Sequence, residues 1–159
     1  MRLRRYRPAD AAPAYALFRR AVHKGAAAAY SAEERRAWAP DREMPADWPA
    51  RLGAHITWLA FHRHRLAGFM TLARDGHLDL AYVAPEAMGR GVADALYARL
   101  EAEARARGLP VLDTAASHLA RSFFLRHGWQ VAARQSVIRN GVALTNFRME
   151  KCLAPPDGG

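Results

Sequence analysis

Apolar positions change their period several times along the chain, and each change marks an element. Arg2 to Arg7 alternates weakly and predicts an edge strand. Pro8-Ala9-Asp10 supplies the fixed φ and the acid of a helix start, and Tyr15, Leu17, Phe18 and Val22 carry that helix towards Gly25. In Ser31-Ala32-Glu33-Glu34 the serine can accept from the amide three residues on while Glu34 reaches back. This capping box starts a short second helix that ends before Pro40. Pro40 to Pro49, rich in Pro, Asp and Trp, reads as a loop or short helical turns. Ile56 to Phe61, Leu66 to Ala73 and Leu78 to Val83 predict three strands. Arg63-His64-Arg65 and Asp75-Gly76 turn the chain between them, which makes a meander. Pro85, without an N–H, ends the third strand.

A helical period returns from Gly91 to Arg107. Val92, Leu96, Leu100 and Ala104 form one stripe, Glu101/Arg105 and Glu103/Arg107 pair at i,i+4, and Gly108 and Pro110 stop the helix. Val111 to Ala115 is a further strand. A full helix separates it from Leu78 to Val83, so the two become parallel neighbours in a βαβ unit. Ser117 N-caps a helix that runs through Phe123, Phe124 and Leu125 to Gly128. Trp129 to Ile138 and Val142 to Met149 flank Asn140-Gly141, a hairpin turn of type I′ character. The predicted order is β-α-α-β-β-β-α-β-α-β-β. That is one mixed α/β domain over residues 1–151, followed by a flexible tail over 152–159, with no internal repeat.

A length of 159 residues suits one domain, and 51% hydrophobic with 25% charged residues excludes a disordered or collagen-like chain. No apolar run approaches ~18 residues, so no membrane partner is expected. The basic start Met1-Arg2-Leu3-Arg4-Arg5 has no apolar stretch behind it to make a signal peptide. A single cysteine, Cys152, excludes internal disulfides and Cys-based zinc sites, and fits a reducing, cytoplasmic setting. The formal charge of +9 leaves two readings open. Arginines can neutralise nucleic-acid phosphates, or they can serve a small anion or simply reflect composition. All but Lys24 and Lys151 of the 24 basic residues are arginines scattered over the whole chain, and alanine is abundant, which favours codon bias over a nucleic-acid partner.

Chemistry concentrates in Tyr82-Val83-Ala84-Pro85-Glu86-Ala87-Met88-Gly89-Arg90-Gly91-Val92-Ala93-Asp94, a strand that passes through a glycine turn into a long helix. Free amides at a helix start bind anions, and glycines let phosphate approach the backbone. Gly-Lys-Ser/Thr is absent, so this is no P-loop. Asp94 occupies the third glycine position of a dinucleotide fingerprint, and no second mononucleotide half follows.

In Met88-Gly89-Arg90-Gly91-Val92-Ala93 the chain resembles the GNAT superfamily, the Gcn5-related N-acetyltransferases, whose motif A is Gln/Arg-x-x-Gly-x-Gly/Ala. Gly91 and Ala93 match, and Met88 replaces the leading polar residue. A second stretch, Ser117 to Trp129, is similar to the family's motif B, Asn-x-x-Ala-x-x-x-Tyr-x-x-x-Gly-Phe. Ala120 and Gly128 match, Ser117 and Trp129 are substitutes, and Phe124 stands where many members carry tyrosine. Tyr30-Ser31 to Trp38-Ala39-Pro40 and Leu144 to Lys151 look like a subgroup of small uncharacterised bacterial acetyltransferases. The resemblance covers essentially residues 1–151 and implies a GNAT fold, with a mostly antiparallel sheet and one parallel pair around the motif A helix.

The resemblance further implies direct acetyl transfer from acetyl-CoA to a primary amine of a small molecule, amino acid, protein or peptide. It assigns the donor to Val83, Met88, Gly89, Arg90, Gly91, Val92, Ala93, Asp94, Ser117 and Phe124, with the Val83 amide on the thioester oxygen. A neutral amine requires that a base or a water chain take its proton. Asp79 is the first candidate, on the same strand face as Ala81 and Val83 by alternation, with an exposed or paired surface acid as the bland reading. Phe124 has no hydroxyl to protonate the departing thiolate. Either Tyr82, Ser117 or His118 serves, or the thiolate, with a thiol pKa of ~8.5, leaves unprotonated. Tyr30 and Trp38 would line the acceptor pocket. Trp48 and Trp58 read as packing, Cys152 lacks a base, and His62-x-His64 lacks a nearby carboxylate, so no metal is expected. A non-catalytic acyl-CoA sensor and a basic nucleic-acid-binding protein are the rivals. A homodimer is expected by resemblance.

Overall fold

The computed structural model describes residues 1–153. One seven-stranded sheet carries the chain in the order β1-β2-β3-β4-β5-β7-β6. β1 (Arg2–Arg5) is the edge strand expected from its alternation, and β2 (Ile56–His62), β3 (Arg65–Leu72) and β4 (His77–Val83) form the antiparallel meander. β5 (Val111–Ala116) runs parallel to β4, and β7 (Val142–Cys152) joins β5 to the outer strand β6 (Gln130–Arg139). Asn140 and Gly141, both at positive φ, make the β6–β7 turn. β7 extends past the expected boundary at 151, and Leu153 is buried; residues 154–159 of the expected tail lie outside the described residues.

Helices cover both faces of the sheet. Pro8–Asp10 form a 3₁₀ turn ahead of α1 (Ala11–Arg20). Asp10 is buried there, held by two Arg4 guanidinium bonds of 2.7 and 2.8 Å and by the Arg7 amide at 2.8 Å. Five π-helical residues, Ala21–Gly25, prolong α1. α2 (Ala32–Trp38) starts at the Ser31 capping box, with Glu34 N–H to Ser31 Oγ at 3.1 Å and Ser31 N–H to Glu34 Oε1 at 2.8 Å. The chain then forms a helix, α3 (Trp48–Ala54), which the predicted order lacks. Pro49 and Gly53 give it poor local propensity, but Trp48 and Leu52 are buried against α1 and the sheet, so packing stabilises what propensity does not. α4 (Val92–Ala106) and α5 (His118–Arg126) cover the opposite face, where Leu96, Tyr97, Leu100, Phe124 and Trp129 share a core with Met70 and Leu78. Among the described residues no helix is long and apolar enough to cross a membrane.

Candidate active site

The site originates in an irregularity of β4. Thr71 and Leu72, adjacent on β3, face Leu80 and Leu78 on β4, so Asp79 is an extra residue in a bulge. The Leu80 amide turns to Thr71 Oγ1 at 3.1 Å. A bulge bends its strand and resets its side-chain phase. Leu78 therefore joins the α4 core, whereas Leu80 and Tyr82 join the α1–α3 core. The shared face expected for Asp79, Ala81 and Val83 is not formed. Asp79 lines the same cavity as Leu80 and Tyr82, while Ala81 and Val83 line a cavity on the other side.

The bulge also ends the parallel ladder. β4 pairs with β5 only at His77↔Asp113 and Leu78↔Thr114, so the rest of β4 stands clear of its neighbour. The Ala84 amide donates to Ala67 O of the strand before at 2.8 Å. Backbone donors alternate sides along a strand, so the Ala81 and Val83 amides face the opened gap. Beyond β4, Pro85–Ala87 form a 3₁₀ turn, Gly89 and Gly91 hold φ of 75° and 79°, and Gly91 begins α4 without a side-chain cap. Those left-handed positions leave the first amides of α4 uncapped at the gap.

A cavity of about 540 Å³ runs from the gap along this loop. Val83, Met88, Gly89, Gly91, Val92, Ala93 and Asp94 line it, and Ser117, just ahead of α5, and Phe124 of α5 close it, so most of the expected cofactor residues converge. Arg90 does not; it is exposed and outside the lining. Asp94 brings a carboxylate to a place suited to anions. His127 at 2.7 Å and Arg126 at 3.0 Å hold that carboxyl below the usual range, and Arg126, absent from the expected set, lines the cavity itself. Phe124 is 1% exposed and packs on Trp129 at 4.7 Å, so its ring is a wall of the cavity. The π-helical end of α1 contributes Ala21 and Gly25 as the opposite wall.

A second cavity, about 430 Å³, lies on the α1–α3 face and meets the first at Trp38, Tyr82 and Ser117, which line both. Trp38 Nε1–H donates to Tyr82 Oη at 3.2 Å, leaving the phenolic proton free for another acceptor. Burial pushes the Tyr82 hydroxyl up to about 12, against the Trp38 bond and the charges of Arg139 and Arg51. Ser117 Oγ accepts from the Ala120 amide at 3.2 Å, so its first task is to cap α5. Tyr30 lines the second cavity, but its hydroxyl is engaged with Thr145 O at 2.8 Å and the His118 amide at 3.1 Å, which makes it a strut.

Asp79 sits in a bidentate pair with Arg51 of α3, at 2.7 and 2.9 Å, with His55 at 3.7 Å. Burial pushes its carboxyl up, but the Arg51 bonds and charge outweigh that and hold it below the usual range. A carboxylate so engaged is a weak proton acceptor. About 13 Å of extended chain also separates it from Val83. No sequence motif announced Arg42, Arg51, Arg139 or Asn146, which line the second cavity from four different segments. Among the described residues no group of three His, Cys, Asp or Glu is arranged to hold a metal; His62 ends β2 and His64 lies in the β2–β3 turn.

Comparison with known proteins places the chain clearly. Residues 26–151 match the acetyltransferase (GNAT) domain family. The "Uncharacterized N-acetyltransferase YafP" of Escherichia coli K12 is 33% identical over 149 residues, 94% of each chain. Among solved structures, a protein from Rhodopseudomonas palustris described as "GCN5-Related N-acetyltransferase: Aminotransferase, Class-II" superposes with a TM-score of 0.91 at 37% identity, covering 96% of this chain and 95% of its own. The yncA protein of Salmonella typhimurium, solved with acetyl-CoA, has the same fold with a TM-score of 0.69 at 24% identity, covering 100% of this chain and 99% of its own.

Proposed function

Because the chain belongs to the GNAT acetyltransferase family, we propose that it transfers the acetyl group of acetyl-CoA directly to a primary amine. The observation that carries this reading is the meeting of two cavities at Tyr82, Ser117 and Trp38, beside unpaired β4 amides. The donor lies along the cavity by α4, its pyrophosphate on the amides from Met88 to Asp94, where Arg126 and His127 offset the Asp94 carboxylate. Its acyl arm enters the gap against Phe124. The Val83 amide donates to the thioester oxygen, where negative charge grows in the transition state. The amine arrives from the other cavity, and both reactants are held without a covalent enzyme adduct.

Proton handling follows from the pKa values. The amine's proton leaves through solvent, since Asp79 is distant and paired with Arg51. Asp79 instead orders Arg51 in the cavity wall. Tyr82, at about 12, keeps its proton and hydrogen-bonds to the departing thiolate. Delivering that proton to a thiolate of pKa ~8.5 is uphill, so the sulfur departs as an anion. Ser117 keeps α5 in place at the junction. A cytoplasmic setting and a homodimer belong to the same reading, and sedimentation at micromolar concentration tests the dimer.

Calorimetric titration with acetyl-CoA, followed by thiol release across an amine panel, tests the proposal. Binding at tens of micromolar or tighter together with amine-dependent release is the expected result. Absence of binding, or release that no amine accelerates, overturns it.

A further inference from the structure

The second cavity has a charge bias and an orphan oxygen that acetyl transfer alone does not require. Apart from tyrosines, its titratable lining consists of Arg42, Arg51, Arg139, His77 and Asp79. Asp79 is neutralised by Arg51, and His77 Nδ1 lies 2.7 Å from Asp113. Among the described residues Arg42 and Arg139 form no ion pair, so two positive charges at this cavity are uncompensated. Both stand on anchored backbone. The Arg42 carbonyl accepts from Tyr15 Oη at 3.4 Å, and its amide donates to Pro40 O at 2.9 Å. Arg139 precedes Asn140, whose side-chain amide donates to Ala37 O at 2.7 Å and ties the hairpin tip to α2. Towards the junction, Asn146 Oδ1 is buried with no hydrogen-bond partner. It lies one residue from Phe147, which pairs with Ala116, the neighbour of Ser117.

We propose that this cavity selects a small primary amine that carries its own carboxylate or phosphate, the anion held by Arg42 and Arg139 and an amine N–H given to Asn146 Oδ1. This rests on the transferase reading and narrows it to one class of acceptor. Planar guanidiniums without partners match the oxygens of such anions. A buried acceptor oxygen without a donor is costly until a ligand N–H reaches it. The uncompensated charge repels polyamines and lysine-rich peptides, and a volume of about 430 Å³ suits a small molecule.

Titration of the CoA-saturated protein with N-acetylphenylalanine and with its methyl ester separates recognition from chemistry, and the ring suits walls built by Phe18, Trp38 and Tyr82. Initial rates with phenylalanine against phenethylamine, and with O-phosphoethanolamine against ethanolamine, each per neutral amine, distinguish carboxylate from phosphate. The anionic member of at least one pair is expected to win by about 10-fold or more. Arg42→Gln and Arg139→Gln should each remove most of that preference and leave acetyl-CoA affinity and thermal stability unchanged. Equal or better performance of the neutral member in all three comparisons, including no binding of acid or ester alongside equal rates, overturns the inference. Failure of the transferase reading looks different, with no thiol released from any amine. The acid-against-ester titration then still decides the anion preference.

Discussion

Gly91 and Gly108 bracket α4, and they offer a matched pair of substitutions that isolates the anion loop. Both hold left-handed φ, 79° and 68°, and a Cβ added at either would meet nothing within 4 Å. Gly91→Ala and Gly108→Ala therefore carry the same conformational cost, about 1–2 kcal/mol, with no steric clash. For a domain of this size each should lower the melting temperature by about 2–8 °C. Their effects on ligand binding differ. At Gly91 the chain relieves strain by turning peptides whose amides face the cavity, and each charge-assisted bond lost there is worth about 1.5–3 kcal/mol. Gly91→Ala should therefore weaken CoA binding by roughly 10- to 100-fold, while Gly108→Ala, beyond the far end of the helix, should bind as the parent does. Thermal melts and calorimetry on the two variants complete the assay. Parent-like CoA affinity in Gly91→Ala, or equal weakening in both, would refute the anion-loop reasoning.

Tyr82→Phe removes the free phenolic proton and should lower kcat by about 10-fold or more, the worth of a bond to a charged leaving group, with KM for acetyl-CoA nearly constant. An unchanged kcat would exclude Tyr82 from leaving-group stabilisation. Asp79→Asn should cost about 1 kcal/mol at neutral pH, kept small by solvent screening of the half-exposed Arg51. The folded carboxyl lies below its ordinary value of 3.8, so its stabilisation is full above that value and is lost as pH falls through the lower folded one. Melting curves of parent and variant should thus differ by a constant amount from pH 7 to about 5 and begin to approach each other only below about 4. The same substitution should leave the acid limb of the kcat/KM profile in place; its disappearance would restore Asp79 as the base. Trp38→Phe, which deletes the 3.2 Å bond to Tyr82 Oη, should reduce kcat more than it reduces acetyl-CoA affinity.

The amino-acid sequence by itself determined those features whose causes lie within a few residues of one another. The Ser31 box, the Ser117 cap, the Asn140-Gly141 turn and the glycine loop ahead of α4 all formed where their local chemistry placed them. The 3.6-residue stripe of Val92, Leu96, Leu100 and Ala104 likewise predicted the buried face of α4. The glycine turn was legible for the same reason, since its glycines and uncapped amides are consecutive. Tertiary structure decided what depends on partners distant in the chain. α3 exists because Trp48 and Leu52 find a core, not because Trp-Pro-Ala-Arg-Leu-Gly-Ala favours a helix. The bulge at Asp79 appears only when β4 is laid against β3, and it moves that carboxylate from the expected face to Arg51, 28 residues away. Arg42, Arg139 and Asn146 reach one cavity from three separate segments, with no spacing that a linear reading can detect. Periodicity and capping act through neighbours along the backbone, whereas charge pairing and cavity shape act through space. That is why the glycine loop could be read along the chain and the lining of the second cavity required the fold.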